Sequence, residues 1–273
     1  VFAYFTHLEV DPPGNAKAKL FNSVAQMVDL RIATAKMYAL YLEQFGPTQQ
    51  IHPPVERDKF TIPAQGSRSG SLVGGFSGYT YRNGRKGEGL AADLIKTSIG
   101  QKVSWRASGR GWPVPTRKYP WKAMPSFYQG LDILVCPASV EGVPLPPLEA
   151  LSCGVSVVIP RGVGLLDELP HVKGIHHYER GNPRSLEAAL VKAVKARGDV
   201  DREALRAVTK PYSIEAWCAE HLAAVKQLCG SVDGGLVEVK TKTPTPLIQN
   251  PEERPEPMEK GTKSKRGIYC VAF

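Results

Sequence analysis

Apolar and polar positions alternate in blocks along the first 229 residues. Val1–Phe5 is a short apolar run that reads as a buried strand, and 16–27 carries apolar residues at helical spacing. Leu30–Ala33 reads as a second strand, and Lys36–Phe45 as a helix closed by Gly46 and Pro47. Ile51–Val55, with two prolines inside it, reads as an extended connector. The polar, glycine-containing stretch Gln65–Gly70 then breaks the pattern and marks a domain boundary. Beyond it a second series predicts a strand from Ser71 to Phe76, a helix near Glu88–Ser98 and a strand over Val103–Ala107. A helix near Pro120–Gln129 and strands at Ile133–Cys136 and Val155–Ile159 flank a helix at Pro147–Cys153. Helices at Pro183–Arg197, Arg202–Val208 and Ile214–Leu228 complete the series. Strands alternating with helices indicate parallel sheets covered by helices, so the fold class is α/β and Rossmann-like.

This organisation places residues 1–64 in one Rossmann-like unit and residues 65–229 in a second of nucleotide-binding size. Residues 230–265 are rich in Lys, Glu, Pro and Thr and lack apolar periodicity, which reads as a disordered linker. The run from Gly267 to Phe273 reads as a strand, so 266–273 is expected to open a further domain. The chain begins at Val1 and stops inside that strand, and it reads as a fragment.

Composition narrows the function classes. The chain has 273 residues, 42% hydrophobic and 22% charged, which suits a globular protein of one large or two modest domains. No apolar run approaches the roughly 18 residues that span a bilayer, and no signal segment opens the chain, so a cytoplasmic location is expected. Five cysteines without a C-x-x-C pair read as free thiols. The adjacent His176 and His177, in an apparent strand-to-loop segment, are weighed as metal ligands and set aside. A formal charge of +9 suits anionic partners: a nucleotide diphosphate, or an anionic membrane face bound peripherally. No zinc-finger, RNP or helix-turn-helix pattern is present, so nucleic acid is not an expected partner.

The candidate chemistry lies in the second series. The strand at Ile133–Cys136 ends at Pro137, a loop follows, and a helix starts near Pro146 and Pro147, where proline's fixed φ suits a first turn. Ligands of open parallel sheets bind beyond the carboxyl ends of strands, and helix starts attract anions. Gly142 leaves room for a ligand against the backbone. Two carboxylates, Glu141 in the loop and Glu149 in the first helical turn, would repel a diphosphate and suit neutral hydroxyls, which donate to them strongly. That spacing puts Glu141 within reach of a sugar and Glu149 of a ribose. The plainer alternative is a solvated loop charge and a carboxylate complementing the helix dipole. Upstream, the loop from Ser77 to Gly87 contains Gly78 and bears Arg82, Arg85 and Lys86. Fixed cations there can neutralise a leaving diphosphate without a metal; alternatively they form a solvated basic turn.

The run from Phe127 to Val158, FYQGLDILVCPASVEGVPLPPLEALSCGVSVV, resembles the E-x7-E block of the two-domain GT-B glycosyltransferases, family 4 in particular. The strand led by Asp132, the serine shortly before Glu141, the continuation Glu149-Ala-Leu-Ser-Cys-Gly154 and the valine strand all agree. Ile51–Phe60 is similar to the family's interdomain segment, with Pro54 in place of glycine and Glu56 in place of aspartate. Val73–Gly87 is similar to the family's phosphate-binding strand and turn: Lys86 matches the lysine, while Arg82 and Arg85 compete for the arginine because the loop is longer.

The resemblance implies a GT-B architecture with a complete donor domain and a truncated amino-terminal domain. It implies a retaining, metal-independent transfer of a hexose from a nucleotide-diphosphate sugar to an acceptor hydroxyl of unknown identity, on a glycan, lipid or protein. The departing phosphate would assist the incoming hydroxyl, and no cofactor is needed. Glu141 would contact the hexose, Glu149 the ribose, and the loop from Ser108 to Trp112 would border the base; for Trp112 the plainer alternative is packing. Gly142, Val143, Pro144 and Leu145 complete the donor-binding set with Gly78. His7, after the first strand, matches the position from which the amino-terminal domain sends a histidine to the donor sugar, so the expected catalytic set is Glu141, Lys86, Arg85 and His7. The final helix resembles the family's terminal helix that crosses back to the first domain, and its Ala216, Trp217, Leu222, Val225 and Leu228 are expected to be core contacts. Two other readings are a non-catalytic nucleotide-sugar or glycan-binding module, and a nucleotide-sugar epimerase, which lacks this glutamate block.

Overall fold

A computed structural model describes residues 1–9, 15–64, 70–229 and 270–272. In the first unit three parallel strands, β1 (Phe2–Phe5), β2 (Leu30–Ala33) and β3 (Thr48–Gln50), alternate with α1 (Ala16–Met27) and α2 (Lys36–Leu42). All four residues of β2 are buried, as expected of a strand covered on both faces. The start of α1 is set by Asn15, whose side chain accepts from the Ala18 N–H at 2.7 Å. Phe21 of α1 meets Phe5 of β1 edge to face, with ring centroids 5.1 Å apart.

The second unit is a six-stranded parallel sheet. In chain order it comprises β4 (Val73–Tyr79), α3 (Glu88–Leu94), β5 (Ser104–Arg110), β6 (Thr116–Arg117), α4 (Met124–Gln129), β7 (Ile133–Val135), α5 (Leu145–Ser152), β8 (Ser156–Pro160), β9 (Ile175–Tyr178) and α6 (Pro183–Ala196). The strand order is β6-β5-β4-β7-β8-β9, with every neighbouring pair parallel. The α/β class is therefore as expected. Then come α7 (Arg202–Val208), capped by Asp201, and α8 (Ile214–Cys229). The strand β10 (Cys270–Ala272), expected to open a further module, pairs in parallel with β1 at the edge of the first sheet. Residues 230–269, including the expected linker, lie outside the described residues.

Several boundaries differ from the sequence pattern. The helix after Lys36 is α-helical only to Leu42, and its last turn tightens to a 3-10 turn over Glu43–Phe45. The helix after Glu88 ends at Leu94, four residues early. β3 and β6 were not read from the pattern, because three polar residues in one case and two in the other have no alternation to detect.

Several features join the two sheets, three of them around the connector and α8. Arg206 of α7 donates to the carbonyls of Arg57 at 2.9 Å, Phe60 at 2.5 Å and Ser152 at 2.7 Å, pinning the connector to the end of α5. Val55 donates from its backbone to Tyr212 at 2.7 Å just before α8. α8 then crosses back onto the first sheet: His221 stacks on Tyr4 at 5.6 Å, and Ala224 and Trp217 pack with Leu30, Ile32 and Ile51. Leu222 and Leu228 face outward, at 56% and 37% exposure, which corrects their assignment as core contacts. The helix buries the face through Trp217, His221 and Ala224 instead, one turn apart at each step.

Candidate functional site

Two loops at the carboxyl ends of the second sheet build the candidate site, and each holds the other. After β4 the chain turns through 80–87 and enters α3 at Gly87, whose φ of +74° lies in the left-handed region. A Cβ there would sit 2.0 Å from the Pro137 carbonyl oxygen, so only glycine lets this turn press against the loop that follows β7. Ser139 of that second loop donates to the Arg85 carbonyl from its backbone N–H at 2.9 Å and from its hydroxyl at 3.2 Å. The two segments singled out in the sequence, around Lys86 and around Glu141, are thereby brought together.

At their junction the Lys86 ammonium pairs with Glu141 Oε1. Both side chains are mostly buried, at 14% and 12% exposure, so solvent screens the pair weakly. Gly78 lies under the lysine; a Cβ there would be 3.7 Å from Lys86 Nζ. A narrow cavity beside the pair is lined by Ser77, Trp112, Cys136, Pro144 and Pro147 among others. Burial, with Glu141 nearby, pushes the Cys136 thiol up to about 12, so it is protonated and not a nucleophile at neutral pH.

The first sheet contributes from the facing side. His7, just past β1, lies against the loop that follows β7: a Cβ on Gly142 would be 3.3 Å from His7 Nδ1 and 2.9 Å from the Thr6 carbonyl oxygen. The imidazole is held between Thr6 Oγ1 at 3.0 Å and Glu9 Oε1 at 2.9 Å. That hydrogen bond from His7 outweighs partial burial and, with the charges of Lys17 and Arg85, holds the Glu9 carboxyl below its usual range. Arg85 lies over the Tyr81 ring at 4.2 Å, and its buried Nε has no hydrogen-bond partner. Arg82 is exposed on the outer side of the same turn. Of the two competing arginines, Arg85 is the one partly buried.

Glu149, expected near the ribose, and Ser108 and Trp112, which the resemblance placed beside the base, are all buried. Glu149 is 5% exposed and accepts from the Tyr128 hydroxyl at 2.6 Å, and Tyr128 shares a further hydrogen bond with Ser77 at 3.0 Å. Burial raises the Glu149 carboxyl to about 7, against the opposing pull of the Tyr128 hydrogen bond. Ser108 is buried with its hydroxyl on Met124 Sδ at 3.2 Å. Trp112 is 7% exposed, stacks on Phe76 at 5.1 Å and donates from Nε1 to the Gly78 carbonyl at 2.8 Å, which is the packing alternative. Val143, Pro144 and Leu145 form the tight entry to α5, where the Leu145 N–H donates to the Val143 carbonyl at 2.9 Å.

Residues that the sequence did not point to also reach this region. Tyr38 of α2 donates from its hydroxyl to the Glu141 carbonyl at 2.9 Å, and Ser77 and Tyr128 form the chain that ends on Glu149. None carries a local signal: Tyr38 looks like any buried helical aromatic until its helix is placed against the loop that carries Glu141. Among the described residues no group of three or more His, Cys, Asp or Glu side chains is placed to hold a metal ion. Nor, among them, is any helix long and apolar enough to cross a membrane. His177 contacts the Leu166 carbonyl at 3.1 Å from β9.

Known proteins share this fold. Residues 116–210, which include Glu141 and Glu149, match the family described as Glycosyl transferases group 1. The fold is that of GT-B glycosyltransferases. Sucrose-phosphate synthase from Thermosynechococcus elongatus superposes with a TM-score of 0.68 at 16% identity, over 84% of this chain and 67% of that one. HepE from Anabaena, solved with UDP-glucose, gives 0.67 at 12% identity over 82% and 72%. A glycosyltransferase from Rickettsia africae gives 0.64 at 13% identity over 78% and 67%. A search of curated protein sequences found no match.

Proposed function

We propose that this chain carries the donor site of a retaining, metal-independent glycosyltransferase that moves a hexose from a nucleotide-diphosphate sugar to an acceptor hydroxyl. The observation that carries the reading is the Lys86–Glu141 pair, set where the loops after β4 and β7 meet and faced by His7 from the other sheet. In this reading the diphosphate draws Lys86 away from Glu141, and Arg85 adds a second cation. The freed Glu141 carboxylate accepts hydrogen bonds from the hexose hydroxyls, and His7 approaches the same sugar. As the glycosidic bond breaks, the two cations neutralise charge building on the leaving phosphate, which takes the proton from the incoming hydroxyl. The match to Glycosyl transferases group 1 and the UDP-glucose in the HepE structure support a nucleotide-sugar donor. Glu149 enters with one carboxylate oxygen held by Tyr128, so a ribose hydroxyl must use the other oxygen or displace that phenol.

The test is turnover of UDP-, GDP- and ADP-sugars by the intact protein in the presence of a chelator, with the product anomer assigned by NMR. Glu141→Ala is expected to leave the fold intact and lower turnover by about 100-fold or more. Unchanged turnover removes Glu141 from the mechanism. Donor binding with no turnover by the wild type favours the alternative of a non-catalytic binding module.

A further inference from the structure

The donor loop is held from two sides, and only one of them belongs to its own unit. From the second sheet, the Arg85 carbonyl accepts from Ser139. From the first, Tyr38 reaches across from α2 and donates to the carbonyl of Glu141 itself, at 2.9 Å. Gly164 makes this approach possible. Its φ is +53°, and a Cβ there would lie 3.1 Å from the Tyr38 hydroxyl and 3.3 Å from the Glu141 carbonyl oxygen, crowding both partners.

The helix that carries Tyr38 is itself tied to the second unit. Ala35, the residue before α2, provides no side-chain cap. The Lys36 N–H donates instead to Glu168 Oε1 at 2.7 Å, from the 3-10 turn Gly164–Glu168 that follows β8. Gln50 donates to the other oxygen of the same carboxylate at 2.6 Å, and His52 contacts it at 3.1 Å. One short turn of the second unit thus both seats α2 and shapes the slot for the Tyr38 hydroxyl. Tyr38 is 6% exposed, so water cannot readily replace either partner. Burial, with Glu141 adding to it, pushes its hydroxyl up to about 12, and it remains a donor at neutral pH.

Resting on the transfer reading above, we infer that Tyr38 is a positioning residue for Glu141. It fixes the Glu141 backbone from the opposite half of the molecule, so the carboxylate is set for the donor sugar only when the two halves are closed on each other. Tyr38 touches no reacting atom in this scheme. Its effect passes through the loop.

The experiment compares the intact wild-type protein with Tyr38→Phe, which keeps the ring and removes the hydroxyl, and with Met37→Ala as an exposed control on the same helix. Two readouts are taken: hydrogen exchange of the amides in 138–145, and calorimetric binding of UDP-, GDP- and ADP-glucose. Tyr38→Phe is expected to speed exchange in that loop by about fivefold and to weaken donor binding by a similar factor, with circular dichroism unchanged. Met37→Ala is expected to change neither. Unaltered loop exchange, or altered exchange with unaltered donor affinity, overturns the inference. A wild type that binds none of the three donors defeats the transfer reading instead, while faster exchange in Tyr38→Phe would still uphold the clamp. If Tyr38→Phe does not fold, Glu168→Ala, which releases the start of α2, is expected to speed exchange in the same loop, and its failure to do so overturns the inference.

Discussion

Glu149 and Glu141 are chemically identical side chains eight positions apart, yet their surroundings give them different work. Glu141 is in direct contact with a lysine, whereas Glu149 is buried with a carboxylate oxygen on the Tyr128 hydroxyl. A carboxyl raised to about 7 when folded, against 4.5 as the ordinary value, holds its proton in the native state over a range where the unfolded chain releases it. The native state binds more protons there, so stability falls as pH rises from about 4.5 to about 7 and stays lower above that. The penalty is on the order of 3 kcal/mol at pH 8 relative to pH 4.5. Glu149→Gln should remove it: melting temperatures at pH 5 and pH 8 are expected to lie closer together in the variant than in the wild type. An equal pH slope in both would show that Glu149 is not the titrating group. The position of Glu149 was legible from the motif; its environment was not, because the phenol that holds it stands 21 residues upstream and meets it only once α4 packs on α5.

Among elements, the informative unit is the pair of loops after β4 and β7. The glycine-containing basic turn and the glutamate block were both readable in the chain, but their mutual contact was not. It depends on Gly87 starting α3 in a left-handed conformation with its Cα against the Pro137 carbonyl. Gly87→Ala is expected to cost at least about 2 kcal/mol, because the strain at φ +74° adds to a backbone collision. Urea denaturation measures the loss. The same variant should weaken donor binding, since the collision displaces the turn that carries Lys86 and Arg85 from the loop that carries Glu141, and wild-type stability in Gly87→Ala would show that the turn has another way to seat. Long apolar elements such as α6 and β8 were placed within a residue or two from periodicity. β3 and β6 were not, because short polar strands are created by the neighbour they pair with rather than by their own sequence.

At the scale of the whole molecule, two parallel sheets face one another with their candidate ligand loops inward, joined by the connector, α8 and the Glu168 contacts. Burial pushes the Glu168 carboxyl up, but hydrogen bonds from His52, the Lys36 N–H and Gln50 outweigh it and hold the group below its usual 4.5. A depressed carboxyl stabilises the native state above the unfolded value, and that contribution is lost as pH falls through the folded one. Glu168→Gln is therefore expected to lose about 1 kcal/mol at pH 7 by thermal or urea unfolding, with the difference from wild type shrinking below pH 4.5. A difference that persists unchanged to pH 3 would contradict it. The sequence by itself determined the α/β class and the presence of one acidic and one basic candidate loop, because periodicity, glycine and proline placement, and local spacing are properties of neighbouring residues. Tertiary structure alone decided which arginine is partly buried, that Glu149 is buried, that Trp112 packs on Phe76, and that Tyr38 reaches Glu141. Each of these joins side chains brought together only when separate helices and strands dock, and no local pattern encodes that docking.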